Sequence, residues 1–436
     1  MNIKRSTSNY RKLKFDSLLL MTTATLLFAL ATNFGMGLKL GMDEKMVSDA
    51  HFYLQIAKNF AEGKGYSSPS THWPNSPTMS NLPGWPILVS IALSFFDDSQ
   101  PDTVMRILCL SMNSMASVLI FWLTFVLFRR SAAAFISGLA YSLHPTGLKL
   151  AYSGLSEILF ILLVTIGLLI LLINARSHLP KFIGFLILGC SSVVRANFVL
   201  FIPFVLLFFG ISSGRRVIFS SKRLLANLIC VAILLLPMSI WTIRNYSVSG
   251  QFPVLSTLSG ATFYGANNPI VANNLEYWGN WIWPDFIPGE VTMKEMARTM
   301  TEIEVQRHYS QKGMEYVLNN LFIMPRLLLG KFIRAYVPVP FKPDWQSYVA
   351  SLFRWFLYAG SILGLAVSWK ETAIKYRILF LSMLFVNIST VLIFLGNARF
   401  AFEIEPFAIP FFSMGVTHLI SKIRCGNKSR PAITIS

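Results

Sequence analysis

Charge is what this sequence has least of. Only 13% of its 436 residues are Asp, Glu, Lys or Arg, about half the ~25% usual in soluble domains. So few charges cannot clothe a whole surface against water, which excludes an ordinary soluble protein. Cysteine is scarce as well. Of the four, Cys109, Cys190 and Cys230 lie in apolar runs and Cys425 near the C-terminus. With no CxxC and no Cys/His cluster at zinc spacing, neither a disulfide framework nor a structural zinc site is expected. An internal repeat is missing too, which speaks against the paired halves common in transporters.

What the chain has instead is apolar length. Hydrophobic residues make up 54%, including 36 Phe and 10 Trp, and they gather in runs near the ~20 residues that cross a bilayer. Spans are expected near 17–38, 104–128, 132–147, 155–174, 182–194, 196–211, 224–243, 347–368, 376–395 and 406–421. The Ala29-Leu30-Ala31 triplet resembles a signal cleavage site, but the apolar run continues beyond it, so it reads as part of a span. The run Trp85 to Phe96 is too short to cross and reads as re-entrant or interfacial. Leu321 to Val337, with Arg326, Lys331 and Arg334 at helical spacing, reads as an amphipathic element on the membrane surface. The expected architecture is an all-α polytopic membrane bundle of about 10–12 transmembrane helices, forming one integral-membrane domain over 1–436.

The charges orient this bundle. Lys and Arg number 38 against 20 Asp and Glu, a formal charge of +18, which on its face invites a polyanion. The segments expected inside, however, carry 20 of the basic residues against only Asp16 and Glu371. Such a bias is the positive-inside signature. Both termini are therefore expected in the cytoplasm of a multi-pass inner or plasma membrane protein. Membrane lipid head groups suffice as partners and nucleic acid is not required.

Two long extracytoplasmic segments follow, 40–103 and 244–346. In the first, Asp49 precedes a short helix, Ala50 to Ala61, with Phe52, Ile56 and Phe60 at four-residue spacing. Asp49 thus reads either as a helix N-cap or as a functional carboxylate. Asp43 and Glu44 offer a second carboxylate or a solvated turn. In the second segment Tyr277, Trp278, Trp281 and Trp283 crowd together. They read as interfacial anchors or as platforms for sugar and lipid. Val291 to Asn320 reads as a solvated scaffold helix. Glu157, Arg195 and Arg399 are isolated charges beside apolar runs. Buried charge costs on the order of 2.5–3.5 kcal/mol at the bilayer centre, so a polar outward cavity shared with Arg244 is the economical placement, although Arg195 can equally snorkel to the interface.

In order, Asp49 with Tyr53, Ala57 and Gly63-x-Gly65, the Pro83-Gly84-Trp85-Pro86 turn, Ser156-Glu157, Arg195, Arg244-Asn245-Tyr246 and the later Asn267-x-Pro269 resemble the GT-C glycosyltransferases. The closest likeness is to their protein O-mannosyltransferase and lipid A aminoarabinose transferase branch. Where the aminoarabinose branch has an acidic-Lys pair before a Pro-Pro turn, this chain reads Ser80-Asn81-Leu82-Pro83.

The resemblance implies a GT-C bundle that moves a sugar from a polyprenyl-phosphate donor to an envelope glycan, lipid or protein acceptor, with inversion. It implies Asp49 as the catalytic carboxylate, with Tyr53, Glu157, Arg195, Arg244, Asn267 and Arg399 binding substrate. No cofactor is implied. The first segment has no DxD, so a divalent metal is not expected. A polymerase or ligase of lipid-linked glycans and a transporter or flippase are the competing readings.

Overall fold

The structure is a computed structural model that describes residues 2–67, 73, 76–96, 100–173, 178–201, 221–252, 256–339, 344–372 and 374–428. The described residues are almost entirely helical, and their strand-like pairing is one isolated bridge, Ser67 with Pro77. In chain order the principal helices are α1 (Asn2–Leu40), α2 (Asp49–Ala61), α3 (Gly84–Leu93), α4 (Pro101–Phe128), α5 (Ser131–Ser142), α6 (Pro145–Tyr152), α7 (Glu157–Ile173) and α8 (His178–Ser192). After the 3-10 turn Ala196–Phe201 come α9 (Ser221–Ser249), α10 (Leu258–Ala266), α11 (Glu302–Asn319), α12 (Met324–Tyr336), α13 (Trp345–Ser368), α14 (Ile374–Ile393) and α15 (Glu405–Lys428).

Among the described residues five helices are long and apolar enough to cross a membrane, within α1, α4, α9, α13 and α14. The chain is an integral membrane protein. Helices α6 and α7 pass the same test together but are bent by 117°. Gly154, at φ +68°, makes that bend, and a Cβ there would meet Met46 and Met105 at 3.0–3.1 Å. A side chain would strain the backbone and crowd the contact.

Several expected spans are redrawn. The one placed at 132–147 stops at Ser142, because Pro145 lacks the N–H that a continuing helix needs and instead opens α6. His144 caps that new helix by accepting from Gly147 N at 3.4 Å. The span at 155–174 begins at Glu157, and the one at 182–194 corresponds to the 15-residue α8, which starts earlier, at His178, and ends at Ser192. Of 196–211, residues 202–211 lie outside the described residues. The span at 406–421 falls within α15, and the short run at 85–96 is the ten-residue α3.

Two kinds of contact hold the bundle. Small residues let helices touch: α13 carries Gly360-x-x-x-Gly364, and a Cβ on Gly364 would lie 1.7 Å from Phe411 O of α15. Close backbone approach of this kind is a common basis of helix association in lipid. Polar side chains add specificity, since Asn113 of α4 donates to Asn33 of α1 at 2.8 Å and accepts from Tyr141 of α5 at 2.9 Å.

The segment 258–327 builds its own core around Tyr264, Ile282, Met296, Tyr309 and Leu327. Tyr277 and Trp283 pack against this core, and Trp278, Trp281 and Trp283 are half-buried. Trp281 packs on Gly265 and Trp278 on Gly330, where added Cβ atoms would lie 2.3 and 2.6 Å away. The expected scaffold helix is α11, held by the Thr301/Glu304 capping box.

The segment 321–337 forms α12, in which Arg326 is exposed but the other two cations turn toward the protein. Lys331 is fully buried, and Arg334 donates to Leu275 O at 3.2 Å and to the carbonyls of Glu276 and Trp278. Leu328, Leu329 and Phe332 face outward instead. Helical spacing alone gives a cation stripe but not the partners each cation meets, and here neighbouring carbonyls claim Lys331 and Arg334.

Candidate functional site

The segment entering α2 is pinned from below. Arg106 of α4 is buried and donates to Glu44 O at 2.6 Å, to Tyr152 O at 3.1 Å and to Met42 O. Asp102 accepts from Met46 N at 2.6 Å. Asp43 and Glu44 themselves stay exposed, a solvated turn whose backbone does the work. Ser48 then takes φ +55°, a conformation uncommon outside glycine.

Asp49 follows as the first residue of α2, not its N-cap. The cap position belongs to Ser48, which makes no side-chain capping bond. This frees the Asp49 carboxylate, which accepts from Arg399 Nη1 at 2.6 Å. The buried face of α2 is also different from the expected one. Ala50, Leu54, Ile56 and Ala57 are buried, whereas Phe52 and Phe60 are exposed.

Arg399 begins a chain of alternating charge. Its Nε donates to Glu157 Oε1, which also faces Arg195 Nη1 at 3.4 Å. Arg195 in turn donates from Nε to Glu403 Oε1 at 2.9 Å, and Asn197 Nδ2 reaches Glu403 Oε2 at 2.5 Å. Three carboxylates and two guanidiniums leave one net negative charge. Asp49 is the most accessible member: its side chain is 47% exposed, against 22% for Arg399, 0% for Glu157, 12% for Arg195 and 3% for Glu403. The open end is therefore Asp49. Tyr53, one turn along α2, feels all four of Asp49, Arg399, Glu157 and Arg195. Burial first, then the Asp49 carboxylate, raises its phenol above the ordinary range, so it stays protonated.

The arrangement is positioned from three directions. Asn397 accepts from Arg399 N at 2.9 Å and so starts the turn carrying that arginine. Gly396 is wedged against α12, where a Cβ would lie 2.2 Å from Lys331 O. Arg195 also lies over the Phe400 ring at 5.3 Å.

A second ionic cluster lies behind the first. Glu405, two residues beyond Glu403, accepts from Arg354 Nε of α13 at 2.7 Å and from Tyr358. Its other oxygen lies 3.2 Å from His144 Nε2. Glu405, His144 and Arg354 are buried within the bundle, and Tyr358 is half-buried. Glu403, Glu405, His144 and Arg354 escaped the sequence reading. Arg354 had a visible signal, a lone charge within an apolar run. Glu403 and Glu405 had the weaker signal of two acids flanking one isoleucine just before a span.

Two expected site residues stand elsewhere. Arg244 donates to Thr78 O at 2.7 Å and Tyr66 O at 3.0 Å, and packs over the Trp241 ring at 4.9 Å. It ties α9 to the first segment rather than joining the shared cavity. Asn267, buried at the end of α10, spends its amide on Phe263 O and Ile393 O and accepts from Lys331 Nζ at 2.9 Å. Both are engaged within the protein. Among the described residues no group of three His, Cys, Asp or Glu stands together as a metal ligand set.

Lys331 also donates to Leu392 O and Ile393 O at 3.1 and 3.2 Å, capping the last carbonyls of α14. Burial pulls it down to about 7, from an ordinary value near ~10.4. Between these values the unfolded chain binds a proton that the folded chain lacks, so stability rises with pH across about pH 7–10. In thermal unfolding scans, raising the pH from about 7 to 9.5 is expected to increase the midpoint more for the native protein than for Lys331→Met. Equal increments would count against a buried titrating lysine.

No protein-family model matches the sequence, and no curated protein matches it. Among solved structures, the archaeal oligosaccharyltransferase AglB from Archaeoglobus fulgidus, in complex with an inhibitory peptide and a dolichol-phosphate, aligns with 97% of this chain at TM-score 0.53 and 12% identity. The chain has the GT-C fold. A second structure of the A. fulgidus oligosaccharyltransferase, tethered to an acceptor peptide, aligns with 95% of the chain and 51% of its own at TM-score 0.50 and 14% identity. ArnT from Cupriavidus metallidurans, bound to undecaprenyl phosphate, aligns over 96% of this chain and 81% of its own at 12% identity, with a TM-score of 0.41. The chain spans about half of the AglB chain, 52%, so what the two share is this GT-C bundle.

Proposed function

We propose that the protein is an integral-membrane glycosyltransferase that moves a sugar from a polyprenyl-phosphate donor to an acceptor on the extracytoplasmic face, in a cell inner or plasma membrane. One observation carries the reading: the half-exposed Asp49 carboxylate stands against Arg399 at 2.6 Å, at the open end of a buried charge chain. A base and a cation able to face phosphate thus share one contact. The dolichol-phosphate held by the neighbouring fold supports a lipid-phosphate donor.

In this reading Asp49 accepts the proton of the acceptor hydroxyl as its oxygen attacks the anomeric carbon. The carbon–oxygen bond to the phosphate breaks with its electron pair moving to the phosphate, and the new glycosidic bond forms from the opposite face, inverting the centre. Arg399 balances charge on the leaving phosphate. Glu157 keeps both arginines charged and directed, with Arg195 braced by Glu403. Tyr53 supplies a neutral O–H donor beside the carboxylate.

The test is transfer itself. Purified protein in lipid should release polyprenyl phosphate from polyprenyl-phosphate sugars and label an acceptor from envelope extract, with the product identified by mass spectrometry. Transfer from a diphosphate-linked oligosaccharide alone would select the polymerase or ligase reading. Flux across vesicles without covalent product would select a transporter.

A further inference from the structure

A cavity of about 340 Å3 lies on the outer side of α11, away from the charge chain, lined by Phe252, Thr257, Gln306, Arg307, Ser310 and Gln311 among others. Its size falls at the lower end of the ~300–1,000 Å3 typical of small-molecule sites.

The polar wall is organised before any ligand arrives. Gln306 Nε2 donates to Ser310 Oγ at 3.1 Å and lies 3.4 Å from Ser259 Oγ, and Arg307 Nη2 donates to Gln251 Oε1 at 3.0 Å. The floor is rigid because α10 crosses α11 at Gly260, where a Cβ would lie 2.1 Å from Gln306 O. On one side Phe252 is exposed and stacked on Tyr246, ring centres 4.6 Å apart and 26° from parallel.

The chemistry of this lining selects a ligand class. Among the described lining residues there is no carboxylate, so a cationic ligand has no counter-charge. The one cation among them is Arg307, which spends one of its five N–H donors on Gln251, and a single exposed guanidinium among neutral side chains does not by itself build a phosphate site. The Gln311 carboxamide offers a donor and an acceptor, the Gln306 oxygen an acceptor and the Ser310 hydroxyl a donor, while the Thr257 hydroxyl and the Gln306 amide are spent within the wall. They match a ligand that is dense in hydroxyl groups and uncharged, and the Phe252 face suits its C–H side.

The groove is also coupled to the first segment. Thr257 donates to the buried Glu302 at 3.1 Å, and the same carboxylate accepts from Thr78 Oγ1 and Met79 N at 2.8 and 2.9 Å. Occupancy of the groove is thus one buried carboxylate away from the segment that carries Asp49.

We propose that this groove is a saccharide subsite, which receives a neutral glycan unit of the acceptor. The identification as an acceptor site rests on the glycosyltransferase reading, whereas binding of a saccharide does not. The test uses the full chain in detergent, with maltose, cellobiose and mannobiose as probes and inorganic phosphate as the charged control, read by saturation-transfer NMR.

At least one disaccharide is expected to bind. The Gln306→Ala/Gln311→Ala double variant and Phe252→Ala are each expected to cut the signal at least fivefold. Phe252 and Gln311 are exposed and Gln306 is half-buried, so Phe252→Ala should keep the parent thermal midpoint and the double variant should stay close to it. Asp49→Asn should bind as the parent does. Absence of disaccharide binding, binding unchanged in the groove variants, or phosphate binding in place of sugar would overturn the proposal. Groove-dependent sugar binding without transfer from any donor would leave the subsite standing and remove the transferase reading alone.

Discussion

Asp49→Asn is expected to lower sugar transfer by about 10²–10⁴-fold, the usual contribution of a positioned general base, with little change in acceptor KM or in stability. The stability half of this expectation follows from geometry. Asp49 is half-exposed, and Arg399 retains Glu157 as a partner when Asp49 loses its charge. The thermal midpoint should therefore stay near that of the parent, since losing an ion pair to a half-exposed carboxylate costs up to about 1 kcal/mol. Initial rates with a polyprenyl-phosphate sugar, measured beside the melting curve, check both halves. Parent-like transfer by Asp49→Asn would assign the base elsewhere. A parallel loss of rate and stability would mean that Asp49 holds the site together and is not its base.

Glu157→Gln should behave in the opposite way. Glu157 has no exposed surface and faces both Arg399 and Arg195. Removing its charge leaves two guanidiniums in the bundle with only Asp49 and Glu403 at the ends to balance them. Breaking a buried pair by neutralising one partner costs about 3–5 kcal/mol, and the amide, although similar in shape, does not restore the charge. The denaturation midpoint of the purified protein should fall accordingly, and activity should fall with it as Arg399 loses its orientation. A Glu157→Gln protein as stable as the parent would show that the two arginines are satisfied without it.

The contrast between these two carboxylates explains which parts of the site were legible in the sequence. Asp49, Glu157, Arg195 and Arg399 come together as expected, because a charge beside an apolar run must find a polar partner or reach water. Glu403 and Glu405 obey the same rule but sit in a short turn between apolar runs. There an acid reads as solvated until the fold shows Arg195 and Arg354 facing it. Lys331 was misread for a related reason. Spacing placed it on a stripe with Arg326 and Arg334, yet the three acceptors that draw it inward come from residues more than sixty positions away in sequence.

Helix ends were similarly opaque. Whether Asp49 caps α2 or opens it depends on one backbone conformation at Ser48. Only the second arrangement gives the carboxylate to Arg399. Composition leaves the tryptophan cluster as anchor or platform, and what it does not show is the close approach of Trp281 to Gly265 and of Trp278 to Gly330. The bundle itself was plain from its apolar runs, whereas the breaks at Leu143 and Gly154 required knowing that His144 and Pro145 start a new helix.

The order in which the ionic chain appears along the polypeptide also constrains its biosynthesis. Asp49 and its partner Arg399 are separated by 350 residues. At about 5–20 residues per second, synthesis of that interval takes roughly 20–70 s. Glu157 can meet Arg195 early, but Arg399 is made only 204 residues after Arg195. Over that interval the nascent bundle carries the Asp49 carboxylate without its guanidinium, so the open end of the ionic chain is the last of these contacts to Asp49 and Glu157 that can form.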